Sequence, residues 1–278
     1  MPEIAEVRTV KKALKDKLIG RKIIDIIYRY DGIIKSDKDE FKNILIGKKI
    51  TDIDNLGKWL FIKLGDYTIL SHLRMEGKYY IKPTNEEYEK HEHIIFKLDN
   101  DYDLRYKDTR KFGVMILVKT EDILKCKEIS KLGIEPDSDL LTKEYIYEKI
   151  NNSNKKIKEL LLDQTIINGL GNIYVDEVLY ASRILPTRIG NTITLEECEK
   201  IKNEGSRIIK KATMCGGTTI RSYTSSLGVE GTYQHYLLVH TKENEKCLLC
   251  GNTIKKITVG GRGTYICDKC QKWYWHFV

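Results

Sequence analysis

The chain has 278 residues, with 48 Lys and Arg against 40 Asp and Glu, and a formal charge of +8. That length allows one large or two ordinary domains, and 41% apolar content can fill their cores, but no apolar run approaches the roughly 18 to 20 residues of a membrane span. The positive excess favours a polyanion such as nucleic acid as partner, although many lysine-rich proteins carry as much charge without one.

The first predicted element is a helix, because Ile4, Val7, Val10, Leu14 and Leu18 recur at helical spacing and Gly20 follows where helices often stop. Pro2 falls at its opening, where the missing N–H costs nothing, and Glu3 and Glu6 complement the positive end of the dipole. Taken alone, these residues describe an ordinary helix start. From Lys22 to about Val118, seven short runs have alternating or β-branched character: "KIIDIIYRY", "KWLFIKL", "YTILSHL", "KYYIK", "HIIFKL", "LRYKD" and "FGVMILV". Separated by polar and glycine turns, they predict an antiparallel sandwich or barrel with the first helix packed against it. The strand pattern fades over residues 121–138, which end in "KLGIEPDSD" and lead into a helical half.

There the pattern predicts a helix over Ile157 to Gln164, a break at "NGLGN" and a second helix over about Ile173 to Ser182. The turn offers backbone N–H groups and the Asn172 side chain to a phosphate, and Lys155, Lys156 and Lys158 can add charge to the same face. Cys247, Cys250, Cys267 and Cys270 follow as C-x2-C-x16-C-x2-C, whereas Cys126, Cys198 and Cys215 are scattered. With no secretory leader a reducing cytosol is the default. Four thiolates at this spacing therefore read as one closed, structural Zn2+ site rather than disulfides. Between the knuckles, Thr253 to Val259 and Thr264 to Ile266 are predicted strands around a Gly260 to Gly263 turn, with Arg262 at the tip.

These motifs together resemble the bacterial formamidopyrimidine-DNA glycosylase family, from Pro2 through about Lys272. The family's opening P-E-x-P-E-V is similar to "PEIAEV", and "LGKWLFIKL", "SHLRMEGKYY", "HEHIIF", "LRYKDTRKFG", "LGIEPDSD", "DQTIINGLGNIYVDE", "GGTTIRSY" and "GGRGTYICDKCQ" follow in family order. The fold class implied is α+β: an N-terminal antiparallel β-sandwich with a leading helix, a C-terminal helix-two-turn-helix domain and a β-hairpin finger stapled by zinc on four cysteines. The expected divisions are a catalytic domain over 1–131, a linker over 132–138, the helical domain with a damaged-base loop over 139–236, and the finger over 237–278.

The resemblance implies a bifunctional DNA glycosylase and lyase for oxidised purines. Removal of Met1 makes Pro2 the terminal amine and nucleophile, which suits a group whose ordinary pKa is far nearer neutrality than that of lysine. Glu3 is the implied general acid/base, Lys58 the neighbouring cation, and Glu6 a supporting carboxylate. Arg262 counts both with the catalytic group and with the DNA contacts, alongside His91, Arg110, Lys155 and Asn172. Met75, Arg110 and Phe112 match residues that fill the void left by an extruded nucleotide. Glu76, Thr218, Thr219 and Tyr223 match the base pocket, with Gly216 and Gly217 as hinges, and His72 is either part of that surface or a structural histidine. Damaged double-stranded DNA is the implied partner, with no membrane, a monomeric state and a cytoplasmic, nucleoid-associated setting in a bacterium.

Four departures stand out: Ala5 replaces the usual proline, Lys107 and Thr109 flank Asp108, Asn154 stands where a basic residue is common, and the tail "WYWHFV" is unusually aromatic. Two alternatives stay open: an oxidised-pyrimidine glycosylase of the endonuclease VIII type, and a catalytically silent damaged-DNA-binding protein.

Overall fold

A computed structural model describes residues 1–218 and 231–272, which fall into two compact units: Met1–Lys131 with Cys215–Thr232, and Leu132–Met214 with Tyr233–Val278. In the first unit, α1 (Ile4–Leu18) precedes β1 (Ile23–Tyr28), α2 (Lys38–Leu45), β2 (Asp52–Leu56), β3 (Trp59–Leu64), β4 (Tyr67–His72), β5 (Lys78–Pro83), β6 (Glu92–Leu98), β7 (Tyr102–Lys107) and β8 (Val114–Lys119). The strands form two antiparallel sheets, ordered β1-β6-β7-β5 and β2-β3-β4-β8. One core joins them: Val7, Val10, Leu14 and Leu18 of α1 pack with Ile26, Ile62, Phe96 and Tyr106 from both sheets, as the helical and alternating periodicities require.

Helix α1 starts later than its sequence suggests. Glu3 has extended backbone and is the N-cap, so Pro2 lies outside the helix. The Glu3 N–H is taken by Glu6 Oε2 at 2.9 Å, the return contact of a capping box. Two elements escape the strand pattern. Helix α2 is started by Asp37, whose side chain accepts from the Glu40 N–H. Strand β2 is an edge strand made polar by Asp52 and Asp54, which pair with Lys15, Lys11 and Lys63, a common way to blunt an edge.

Sheet order brings two loops together. Strands β4 and β5 are joined by residues 73–77, and β7 and β8 by residues 108–113; β4 pairs with β8 and β5 with β7. Both loops rest on Tyr106, which is fully buried and packed edge-on against Tyr79 at 5.2 Å. A Cβ at Gly77 would lie 2.2 Å, and one at Gly113 1.8 Å, from the Tyr106 hydroxyl. Since that ring has no room to retreat, Gly113→Ala is expected to lower the free energy of unfolding by about 1 to 3 kcal/mol in denaturant titration. A loss below about 0.5 kcal/mol would show that the loops are not seated on this tyrosine.

The second unit contains α3 (Lys143–Ile150), α4 (Ile157–Leu162), α5 (Asn172–Ala181), α6 (Leu195–Met214) and the hairpin β9 (Lys255–Val259) with β10 (Arg262–Ile266). Helix α6 buries Cys198, Ile201, Gly205, Ile208, Ile209 and Ala212 on one face and packs on α3 and α5. Helix α4 stops two residues before the expected Gln164, because Asp163 Oδ1 accepts from the Thr165 N–H and hydroxyl. Gln164 instead spans the turn, donating to the Leu162 and Leu170 carbonyls and accepting from the Gly169 N–H. The hairpin turn is also tighter than expected. Gly260 and Gly261 both have positive φ, of 56° and 71°, which makes a two-residue turn, so Arg262 opens β10 opposite Val259 rather than sitting within a four-residue tip.

Candidate active site

At the start of the chain, a short extended segment meets helix α1 among buried charges. Pro2 is buried, and Glu3, Glu6 and Lys58 are 3%, 4% and 5% exposed. Lys58 arrives from the β2–β3 turn. The terminal amine of Met1 feels Glu3, Glu6, Lys58 and Glu76; burial lowers its pKa, Lys58 acts in the same direction, and the three carboxylates oppose them. The first unit thus brings Pro2, Glu3, Glu6 and Lys58 into one neighbourhood in which an amine is held closer to its neutral, nucleophilic form.

Glu6 is held by both oxygens. Oε2 takes the Glu3 N–H, and Oε1 accepts from the Thr218 N–H at 2.7 Å and its hydroxyl at 3.1 Å. This tether needs a glycine at 217, where φ is +77° and a Cβ would stand 2.6 Å from Glu6 Oε1. Gly231 is a second requirement, absent from the sequence-derived set: its Cβ would meet the Gly217 carbonyl at 2.4 Å, and the Thr232 N–H bonds the Cys215 carbonyl beside it. Thr218 is therefore placed beside Glu6, while Thr219 and Tyr223 lie outside the described residues. Ala5 is fully buried inside a continuous helix, so the helix start survives without a proline there.

Met75, Arg110 and Phe112 project from the two paired loops. Met75 and Phe112 are exposed, unusually for such apolar side chains, and the Arg110 guanidinium lies 4.7 Å from the centre of the Phe112 ring. Asp108 shapes this loop from below: it is fully buried and accepts from the N–H groups of Arg110 and Gly113, and its carbonyl meets His93 Nε2. Thr109 bonds Glu76, joining the two loops. Lys107 pairs with Glu89, so its positive charge next to Asp108 is offset. The His91 carbonyl accepts from the Asp108 N–H, and His91 has φ of 69°. His72 is structural: its Nδ1 accepts the Arg74 N–H, and burial, reinforced by Arg74 and Lys58, pushes its pKa down to about 3, leaving it neutral at physiological pH.

In the second unit Lys155 and Arg262 are exposed. Asn172 opens α5 and donates from Nδ2 to the Gly263 carbonyl at 3.0 Å, so this amide also anchors the hairpin. Lys158 departs from its expected place on a charged face: it is fully buried and donates to Asp176 Oδ1 at 2.6 Å and to the Thr264 hydroxyl at 2.7 Å. Asn154 accepts from Asn191 Nδ2.

Cys247, Cys250, Cys267 and Cys270 place their sulfurs within 4.8 Å of one another, with Cys247 to Cys270 at 3.7 Å and Cys250 to Cys267 at 3.5 Å. Sulfurs about 2.3 Å from a tetrahedral zinc lie about 3.7 to 3.8 Å apart, so the donor set fits one structural zinc. Four thiolates fill its coordination sphere and leave no position for substrate.

Comparison with known proteins agrees across the chain. Residues 1–115 match the formamidopyrimidine-DNA glycosylase N-terminal domain, residues 132–224 its H2TH domain, and residues 244–272 the zinc finger found in FPG and IleRS. A formamidopyrimidine-DNA glycosylase of Bacillus cereus is 42% identical over 98% of this chain and 99% of its own, and one of Ligilactobacillus salivarius is also 42% identical, over 98% and 99%. Among solved structures, a Lactococcus lactis FPG mutant in complex with Fapy-dG-containing DNA superposes with a TM-score of 0.93 at 40% identity, covering 98% of this chain and all of that one. The wild-type L. lactis Fpg in complex with DNA containing an oxidised pyrimidine gives 0.91 at 39%, with 98% and 100% covered. On these matches, carried by all three parts of the fold, the chain belongs to the formamidopyrimidine-DNA glycosylase family.

Proposed function

We propose that this protein excises oxidised purines, 8-oxoguanine and formamidopyrimidines, from duplex DNA and then cleaves the strand at the resulting site. The observation that carries the reading is the buried group at the chain start, Pro2 with Glu3, Glu6 and Lys58 around one amine. Removal of Met1 makes the Pro2 nitrogen terminal. Its lone pair bonds C1′ of the damaged nucleotide as the bond from C1′ to the base breaks, and the proton that the proline nitrogen then sheds goes to the departing base. Glu3 protonates the sugar ring oxygen as the ring opens, leaving an iminium between Pro2 and C1′. That cation acidifies the adjacent sugar proton, so the 3′ phosphate and then the 5′ phosphate depart by β and δ elimination.

The remaining residues serve extrusion and grip. Met75, Arg110 and Phe112 enter the stack where the nucleotide was, Arg110 facing the orphaned base and Phe112 stacking. His91, Arg110, Lys155, Asn172 and Arg262 hold the backbone, and contacts of that kind fix register without reading sequence. Glu76 and Thr218 belong to the base pocket, together with Thr219 and Tyr223. The domain assignment follows the same reading, with catalysis in 1–131, a linker over 132–138, the helical part over 139–236 and the finger over 237–278. The protein works as a monomer in the cytoplasm, on DNA of the nucleoid; no helix among its described residues is long and apolar enough to cross a membrane.

The complex of the L. lactis relative with oxidised-pyrimidine DNA brings a second lesion class into the test. Duplexes carrying 8-oxoguanine opposite cytosine, or an oxidised pyrimidine, are incubated with the protein and resolved on denaturing gels. Faster cleavage of the purine duplex, with phosphate on both new ends, is expected. A preference for the pyrimidine would assign the chain to the sister activity, and cleavage of neither would leave a damage-binding protein.

A further inference from the structure

One face of helix α5 runs along the zinc hairpin. Asn172, Asp176 and Tyr180 recur at i, i+4 and i+8, which aligns them on that face, and each reaches the finger. Asn172 Nδ2 bonds the Gly263 carbonyl at 3.0 Å. Asp176 accepts from Lys158, which also bonds Thr264, and its Oδ2 faces the Tyr265 N–H at 3.4 Å. The Tyr180 hydroxyl lies 3.0 Å from Cys247 Sγ.

We propose that Tyr180 is a positioning residue of the zinc centre, donating its hydroxyl proton to the Cys247 thiolate and so tying metal retention to the helix that begins at Asn172. Three observations carry this. A zinc-bound thiolate has no proton, so the hydrogen bond has one possible direction. Tyr180 is fully buried and packs with Val239, Cys247, Ile254 and Cys267, and Cys247 Sγ is the one partner its hydroxyl has among the described residues. The centre also needs donors: four thiolates around Zn2+ carry a net charge of −2, Cys247 and Cys267 are buried, and hydrogen bonds from outside the ligand shell offset that charge. Tyr180 alone brings a donor from α5, eight residues along from the amide that holds the carbonyl next to Arg262. The proposal rests on the zinc and not on the catalytic reading.

The test uses the full chain and Tyr180→Phe, which removes one oxygen and keeps the ring. Zinc release to an excess of a colorimetric chelator is expected to be at least about tenfold faster in the variant, the scale seen when outer-shell partners of metal ligands are lost. In the cobalt(II)-substituted protein, the sulfur-to-metal charge-transfer band is expected to move to lower energy, because losing the hydrogen bond raises the energy of the sulfur lone pair. A band that does not move overturns the proposal whatever the release rate does, since faster release alone would then report only loosened packing. If both band and rate match those of the parent protein, Tyr180 is a core residue and no more.

Discussion

A version of the protein that keeps Met1, or carries an uncleavable extension ahead of Pro2, is expected to lose strand cleavage by a factor on the order of 10^4 or more while still binding lesion DNA. An acylated proline nitrogen is an amide: its lone pair is delocalised, it cannot attack C1′, and it cannot form an iminium. Among the described residues, nothing else in the neighbourhood replaces it. Lys58 is the nearest alternative amine, but it sits beside the site as a buried cation whose charge lowers the terminal amine's pKa. The loops bearing Met75, Arg110 and Phe112 keep their own anchors on Tyr106 and Asp108, so binding should weaken by less than about tenfold. Burial and Lys58 lower the pKa of the terminal amine at Met1 against three carboxylates, and the amine freed at Pro2 by loss of Met1 is expected to shift in the same direction. The sign then follows: the active form is unprotonated, activity falls as pH drops through the amine's pKa, and because that pKa is lowered the fall begins at a lower pH than for an ordinary terminal amine. A pH–rate profile of single-turnover cleavage measures it. Full cleavage by the extended protein would refute the terminal-amine mechanism.

Zinc removal is expected to have the second large effect. The hairpin buries few apolar residues of its own, chiefly Ile254, Val259 and Ile266, and binding of a structural zinc is worth on the order of 10 kcal/mol of folding free energy in small domains of this kind. Chelation should therefore unfold residues from about Cys247 to Cys270, release Arg262 from its place beside the Gly260–Gly261 turn, and make the backbone after the already exposed Lys255, Lys256 and Arg262 cleavable by trypsin. DNA affinity should fall by at least about tenfold, since the backbone contact proposed for Arg262 and the hairpin that aims it are lost together. Circular dichroism and limited proteolysis follow the unfolding, fluorescence anisotropy follows the binding, and returning zinc should restore both. Unchanged binding after complete zinc removal would mean that the finger does not touch DNA.

How much of this was legible in sequence depended on whether a residue's role is local. The zinc site was, because two C-x2-C knuckles carry their geometry in their spacing, and so was α1, whose apolar positions are all buried. Strand β2 was not legible: Asp52, Asp54 and Asn55 hide a pairing that only the neighbouring strand reveals. Lys158 was misplaced because a lysine in a basic run looks solvated until Asp176, eighteen positions away, is brought against it. The same holds for Gly231, whose missing side chain makes sense only once Gly217 stands opposite, and for Asp108, whose carboxylate organises the loop that displays Arg110 and Phe112. Arg262 was identified as a hairpin residue but moved by the turn type, since two consecutive left-handed glycines close a hairpin in two residues where the pattern suggested four.

The central claim is that Pro2 forms the covalent bond to the sugar. Its most direct test is to trap the protein on an 8-oxoguanine duplex with borohydride, digest protein and DNA, and map the modified peptide by mass spectrometry. The predicted result is a reduced sugar remnant on the nitrogen of Pro2, in a peptide lacking Met1 and beginning Pro2-Glu3-Ile4-Ala5-Glu6. Attachment at Lys58 or any other lysine, or failure to trap protein that is cutting the duplex, would contradict it.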